Sequence, residues 1–175
     1  MPSERFVQAL NEQIGHEFSA HQAYVAVAVH FDSETLPQLA SFFYRQALEE
    51  REHAMMMIRY LMDAGTEPKV PGVDAPTTDF PDIVEPVQLA LDQERKVTDQ
   101  IQKLSALARE EGDLTSEQFL SWFLKEQVEE VATMSSLLHV VQRSKDNPML
   151  VEDFLAREHS RNDAVDPTAP PAAGD

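Results

Sequence analysis

Cysteine is absent from the chain, which excludes disulfide staples, thiolate metal sites and cysteine nucleophiles. Glycine is scarce, at 5 residues, aromatics make up only 7%, and the 11 prolines bunch outside the periodic segments. A barrel or sandwich of many short strands needs more turn formers and more aromatic residues than this, so an all-α chain is expected. Positive charge is also short: 14 lysines and arginines face 31 acids, for a formal charge of −17 and an isoelectric point near 4.6. Such a surface repels nucleic acid and anionic membranes and draws cations to any concave acidic region, although it also serves plain solubility. No run approaches the ~18 apolar residues of a membrane span, and MPSERFVQAL lacks a basic region followed by an apolar stretch. The expectation is a cytoplasmic protein with no membrane and no nucleic-acid partner.

What the chain does have is helical periodicity. With 175 residues and 42% hydrophobic content, it can bury one core. Residues 4–33 place Leu10, Ile14, Glu17, His21, Tyr24, Ala28 and Phe31 at alternating steps of four and three, the inward seam of a long helix. A second helix starts near Thr35, Pro37 and Gln38, a capping-box spacing with proline in the first turn. Its seam reads Leu39, Phe43, Gln46, Glu50, His53, Met57, Tyr60 and Ala64. Gly65 ends it, and TEPKVPGVDAPTTDFP carries four prolines and no helical period, so it is a connection.

Asp82 and Glu85 form another capping box, followed by the seam Val87, Ala90, Glu94, Val97, Ile101, Leu104 and Ala108. After Gly112, Thr115 and Gln118 repeat the box before Leu120, Phe123, Gln127, Glu130, Met134, Leu137 and Val141. Asn147 with Pro148 starts a short fifth helix to about residue 160. Thirty helical residues span about 45 Å, and the connection can reach about 55 Å when extended. It can therefore cross the bundle from end to end, giving two hairpins joined by a long crossover between the second and third helices. A helical domain over residues 1–162 is expected, followed by a flexible Pro/Ala-rich tail over 163–175 that has too few large apolar groups to pack, the alternative being a docking motif.

Each of the four seams is interrupted by an acid near its middle: Glu17, Glu50, Glu94 and Glu130. In a bundle of this kind those middles share one height. Burying one ionised carboxylate costs several kcal/mol unless it is paired, and four converging without a cation would mostly have to be protonated. Arg45, Arg51, Arg59, Arg95, Lys96, Lys103 and Lys125 all fall off the seams, so a metal is the expected counter-charge. Four carboxylates and one imidazole make a hard, oxygen-rich set that suits iron or manganese, with Glu50 able to bridge two ions. The alternative is an internal polar network without metal.

Around this set, His21 is either a ligand or a hydrogen-bonded core histidine, and Tyr24 either donates a proton or electron or simply packs. Met55, Met56 and Met57 read as core and interface filler. Glu49, Glu126 and Glu129 flank the layer by one residue and either bind a further ion or form a solvated acidic face. For His16, His30, His139 and His159, surface or packing roles are expected. Glu110, Glu111, Asp113 and Glu117, near the third-to-fourth helix turn, are candidates for a cation route.

Glu17, the EEREH run with Glu50 and His53, Glu94, and the EQVEE run from Glu126 to Glu130 together resemble the iron site of bacterial non-haem ferritins, over about residues 4–160. In detail the chain is similar to actinobacterial ferritins of the bacterioferritin-B kind. The resemblance implies a ferritin-like four-helix bundle and a dinuclear ferroxidase centre. In it, Glu17 and His53 hold one iron, Glu50 bridges, Glu94 and Glu130 hold the other, and Gln127 hydrogen-bonds nearby. It further implies a third iron held by Glu49, Glu126 and Glu129, and aromatics at Tyr24 and Trp122 close to the centre. The implied assembly is a homo-oligomeric cage of 24 subunits that oxidises iron(II) with dioxygen or hydrogen peroxide and stores a ferric mineral.

Two departures refine this. Bacterioferritins repeat Glu-x-x-His on the fourth helix, where this chain has Gln127 and Glu130, so the second iron lacks a histidine. They also carry a haem-binding methionine directly after the second-helix glutamate, where this chain has Arg51, so no haem is expected. The missing C-x-x-C argues against a rubrerythrin, and the fifth helix against the smaller DNA-protecting cages. Rival readings are a di-iron or dimanganese oxidase or catalase, and a purely structural bundle.

Overall fold

The computed structural model describes residues 2–158 and 166–174. The expected role of His159, the end of the fifth helix near 160 and the domain boundary at 162 lie outside the described residues. Five helices follow in order: α1 Glu4–Ser33, α2 Pro37–Asp63, α3 Glu85–Glu110, α4 Leu114–Arg143 and α5 Met149–Glu158. No strand occurs among the described residues, and none of their helices is long and apolar enough to cross a membrane.

The helix ends show why these segments stop and start. Gly65 and Gly112 follow α2 and α3 with φ of 74° and 69°, the left-handed turn that only glycine adopts freely. Ser3 caps α1 by accepting from Phe6 N at 3.0 Å. Three caps differ from the sequence expectation. Thr35 sits at φ 60° and does not cap α2. Instead, the buried carboxylate of Glu152 on α5 accepts from Gln38 N and Leu39 N at 2.8 and 2.9 Å. At α3, Asp82 accepts from Val84 N and Glu85 N, two and three residues on, and Val84 occupies the cap position without a side-chain bond. At α4 the cap is Asp113, accepting from Ser116 N at 3.1 Å, so Thr115 already lies inside the helix.

The core divides in two, and the division gives the topology. One apolar cluster holds Tyr24, Ala28 and Phe31 of α1, Leu39 and Phe43 of α2, Val87 and Ala90 of α3, and Met134 and Val141 of α4. The other holds Phe6 and Leu10, then Met57 and Leu61, then Val97 and Ile101, then Leu120 and Phe123. Along α1 and α4 the chain meets the second cluster first; along α2 and α3 it meets the first cluster first. Hence α1 and α4 run one way and α2 and α3 the other, as two antiparallel hairpins. The crossover returns along α1: Lys69 N donates to Asn11 Oδ1 at 2.7 Å, Pro71 presses on Gly15, and Phe80 meets the His30 ring at 5.2 Å. A Cβ on Gly15 would stand 2.8 Å from Pro71 Cγ, so only glycine allows that approach.

Where a free tail is expected, residues 166–174 lie against the α2 and α4 side of the bundle. Asp166 accepts from Trp122 Nε1 and Lys125 Nζ, both at 3.2 Å, and Ala173 N donates to the Met55 carbonyl at 3.1 Å. Ala172 is buried at the second cluster, with Ala169 and Ala173 beside it. Polar anchors and small side chains dock this segment, not the large apolar groups it lacks.

Candidate metal centre

The acids predicted to interrupt the seams are buried between the two apolar clusters. Glu17, Glu50, Glu94 and Glu130 are 1%, 0%, 0% and 5% exposed, with His53 at 4% and Gln127 at 2%. No lysine or arginine is among the buried described residues. Glu17, Glu50 and His53 each offer one ligand atom, and these atoms lie within 4.8 Å of one another. Both Glu50 oxygens and Glu17 Oε2 are buried without a hydrogen-bond partner. Orphaned carboxylate oxygens are rare in native interiors, because each forfeits its hydration without return. One oxygen each from Glu17 and Glu50, together with a His53 nitrogen, fit a divalent cation.

The electrostatics of the layer point the same way. Burial, then the charges of Glu94 and Glu17, pushes the Glu50 carboxyl far above its ordinary range. Burial, then Glu50 and Glu94, does the same to Glu130. Burial also lifts Glu94, to about 7, against the hydrogen bond from Tyr24 that pulls it down. Each group is thus strained against ionisation until a cation is supplied, which is the condition under which metal binding displaces protons.

Both oxygens of Glu94 are held by hydrogen-bond partners. Tyr24 Oη donates a short hydrogen bond to Glu94 Oε1 and reaches the Ala90 carbonyl at 3.3 Å. Gln127 Nε2 donates to Glu94 Oε2 at 3.4 Å while Gln127 Oε1 accepts from Thr98 Oγ1 at 2.9 Å. The amide nitrogen therefore faces the acid, and Gln127 here orients Glu94. Glu130 shares the layer closely enough to be raised by Glu50 and Glu94. His21 makes a hydrogen bond through Nδ1 to the Ala47 carbonyl at 2.6 Å, the core-histidine role.

Glu49 and Glu126 flank the layer. Burial lifts Glu49 first, with Glu126 also raising it, and burial lifts Glu126 first, with Glu129 and Asp166 also raising it. The acids near the third-to-fourth helix turn already have protein partners: Glu110 with Arg5, Glu111 with Ser3, Asp113 with Ser116 and Glu117 with Arg109.

Several residues at the site escaped the sequence reading. Gln13 Nε2 donates to Glu17 Oε1 at 2.9 Å and Thr98 holds Gln127, each four residues along its helix from an acid of the layer. That spacing is a usable signal, though a common one. Phe123, expected on the seam, and Trp122, expected close to the centre, flank the His53 ring, with centroids at 5.7 Å and interplanar angles of 74° and 72°.

Two antiparallel helix hairpins around a buried layer of carboxylates and one imidazole define a ferritin-like helical bundle. The Ferritin family, described as Ferritin-like domain, matches residues 7–144. Ferritin BfrB of Mycolicibacterium smegmatis is 52% identical over 170 residues, covering 97% of this chain and 93% of that protein. Bacterioferritin BfrB of Mycobacterium tuberculosis is 51% identical, covering 99% and 95%. Bacterial non-heme ferritin of Staphylococcus aureus is 39% identical, covering 84% and 89%. Among solved structures, an open pore ferritin from Archaeoglobus fulgidus superposes with a TM-score of 0.87 at 27% identity, covering 93% of this chain and all of that one. The chain belongs to the ferritin family.

Proposed function

We propose that this ferritin is an iron-storage protein with ferroxidase activity, taking iron(II) as its substrate at the carboxylate layer. Glu17 and His53 hold one ion, Glu50 bridges, and Glu94 and Glu130 hold the second, with Gln127 and Tyr24 orienting Glu94. The observation that carries this reading is the pair of unpartnered Glu50 oxygens, buried beside Glu17 and His53, with no lysine or arginine among the buried described residues. Two ions there give one electron each to dioxygen, which takes up two protons and leaves as hydrogen peroxide. With peroxide as oxidant, the same two electrons and two protons yield water. Carboxylates favour the reaction because they stabilise iron(III) over iron(II).

The second ion, lacking a histidine, is held by oxygen alone, and this supports onward release of iron(III) to a mineral store. Glu49, Glu126 and Glu129 form a third iron site at the edge of the layer. The family and the ferritin names of its relatives support a hollow cage of 24 copies in the cytoplasm. Arg51, exposed at the position of the haem methionine in bacterioferritins, supports a haem-free protein.

The test is aerobic addition of ferrous salt to the parent and to Glu50→Ala, with the native particle sized in parallel. The parent should oxidise iron fast and retain many more ions than two per chain in a large shell. Glu50→Ala should assemble but lose the fast phase; a normal rate in that variant would refute the assignment.

A further inference from the structure

Residues 166–174 are anchored at two points that bracket His53. At one end Asp166 Oδ2 accepts from Trp122 Nε1 on α4; at the other Ala173 N donates to the carbonyl of Met55, two residues beyond His53 on α2. Asp166 is itself fixed, because its Oδ1 accepts from Thr168 N at 2.8 Å and Thr168 Oγ1 at 2.7 Å, and Lys125 Nζ stands 3.2 Å from Oδ2.

An imidazole that binds metal is usually oriented by a hydrogen bond from its other nitrogen. Here Nδ1 of His53 faces the acid layer, 3.6 Å from Glu50 Oε2, and among the described residues no hydrogen bond orients the ring from its other nitrogen. The ring is instead gripped between the edges of Trp122 and Phe123. Phe123 is buried in the core, but Trp122 is only partly buried: its ring packs edge-on against Phe123 at 5.0 Å, and its one polar anchor is the hydrogen bond from Nε1 to Asp166. We infer that Asp166 is a positioning residue for the ferroxidase centre, acting through Trp122 on the His53 ring. The C-terminal segment is then a strap that completes the site. This rests on the iron-site reading above and extends it to a residue outside the bundle.

Trp122 is the only tryptophan in the chain, so its fluorescence reports the contact directly. The full-length parent, Asp166→Ala, Asp166→Asn and Lys125→Met are compared by tryptophan emission and anisotropy, by anaerobic cobalt(II) titration followed in the visible, and by initial rate of iron oxidation. Asp166→Ala should shift emission to the red and lower anisotropy. It should weaken cobalt(II) binding by about three- to tenfold, less than the roughly 10–100-fold typical of losing a ligand's direct partner, and slow oxidation comparably. Asp166→Asn keeps an acceptor for the indole and should restore the parent's values, and Lys125→Met should stay near them.

An unchanged emission in Asp166→Ala shows that the contact is absent in solution and overturns the inference. A shifted emission with cobalt affinity and rate within twofold of the parent also overturns it, because the strap then docks without acting on His53. If the parent itself binds no cobalt, or Glu50→Ala binds it equally well, the iron-site reading fails instead.

Discussion

The hydroxyl of Tyr24 on α1 is donated across the bundle to Glu94 on α3, and both groups are fully buried. The bond holds one oxygen of Glu94 and opposes the upward push that burial gives its carboxyl. Tyr24→Phe should therefore keep a stoichiometry of two metals per chain while raising the pH needed to bind the second. Oxidation at pH 7 should slow by about tenfold, the size typical of losing a ligand's partner. A cobalt(II) titration repeated from pH 6 to 8 checks this; an unmoved pH midpoint would show that Tyr24 only packs.

Glu50 burdens the metal-free fold, since burial and the charges of Glu94 and Glu17 hold its carboxyl far above its ordinary range. Glu50→Gln removes a buried ionisable group while keeping its volume, so the metal-free variant should be more stable than the parent, by about 1 kcal/mol, the common scale of stability exchanged for function. Fast oxidation should vanish in the same protein. Thermal unfolding of both proteins after chelation measures the first effect and stopped-flow oxidation the second.

The acid layer also sets a pH dependence. A carboxyl with a raised folded value holds its proton more tightly folded than unfolded. Its stabilising contribution is therefore complete below the ordinary value near 4.5 and is lost as pH rises through the folded value, about 7 for Glu94. Glu50 and Glu130 are raised in the same direction. Metal-free protein should accordingly lose thermal stability between pH 5.5 and 8, with a shallower slope in Glu94→Gln, and added divalent metal should reverse the loss. A flat profile in the chelated parent would contradict this.

Glu152 ties α5 to the start of α2 through two backbone amides. Glu152→Ala should cost about 0.5–2 kcal/mol, as removal of a helix cap does. Because the contact is far from the acid layer in sequence and cluster, metal stoichiometry should not change. Melting temperature and cobalt(II) stoichiometry measured on one preparation separate the two effects.

Much of this architecture was legible because it repeats. Every seam position predicted on α3 and α4 is buried, and Glu17, Glu50, His53, Glu94 and Glu130 stood out as acids or histidine at core positions. The caps were less legible for different reasons. The α2 cap comes from Glu152, more than a hundred residues away, which no local spacing reveals. At α4 two overlapping patterns competed, and Asp113 won over Thr115 because it lies directly after the Gly112 turn. The docking of residues 166–174 was hidden for a third reason. Counting large apolar groups measures only one way to hold a segment, and here an aspartate, a backbone amide and alanines hold it. Within the site, spacing identified the acids but not which of them are turned by neighbours, since the Tyr24 and Gln127 bonds to Glu94 depend on side-chain direction.

The most direct test is anomalous diffraction at the iron edge from crystals soaked anaerobically with ferrous salt. Two peaks per chain are predicted, one among Glu17, Glu50 and His53 and one among Glu50, Glu94 and Glu130, with Glu50 common to both. An empty layer, with the four acids retaining their present positions and no iron signal between them, would contradict the account.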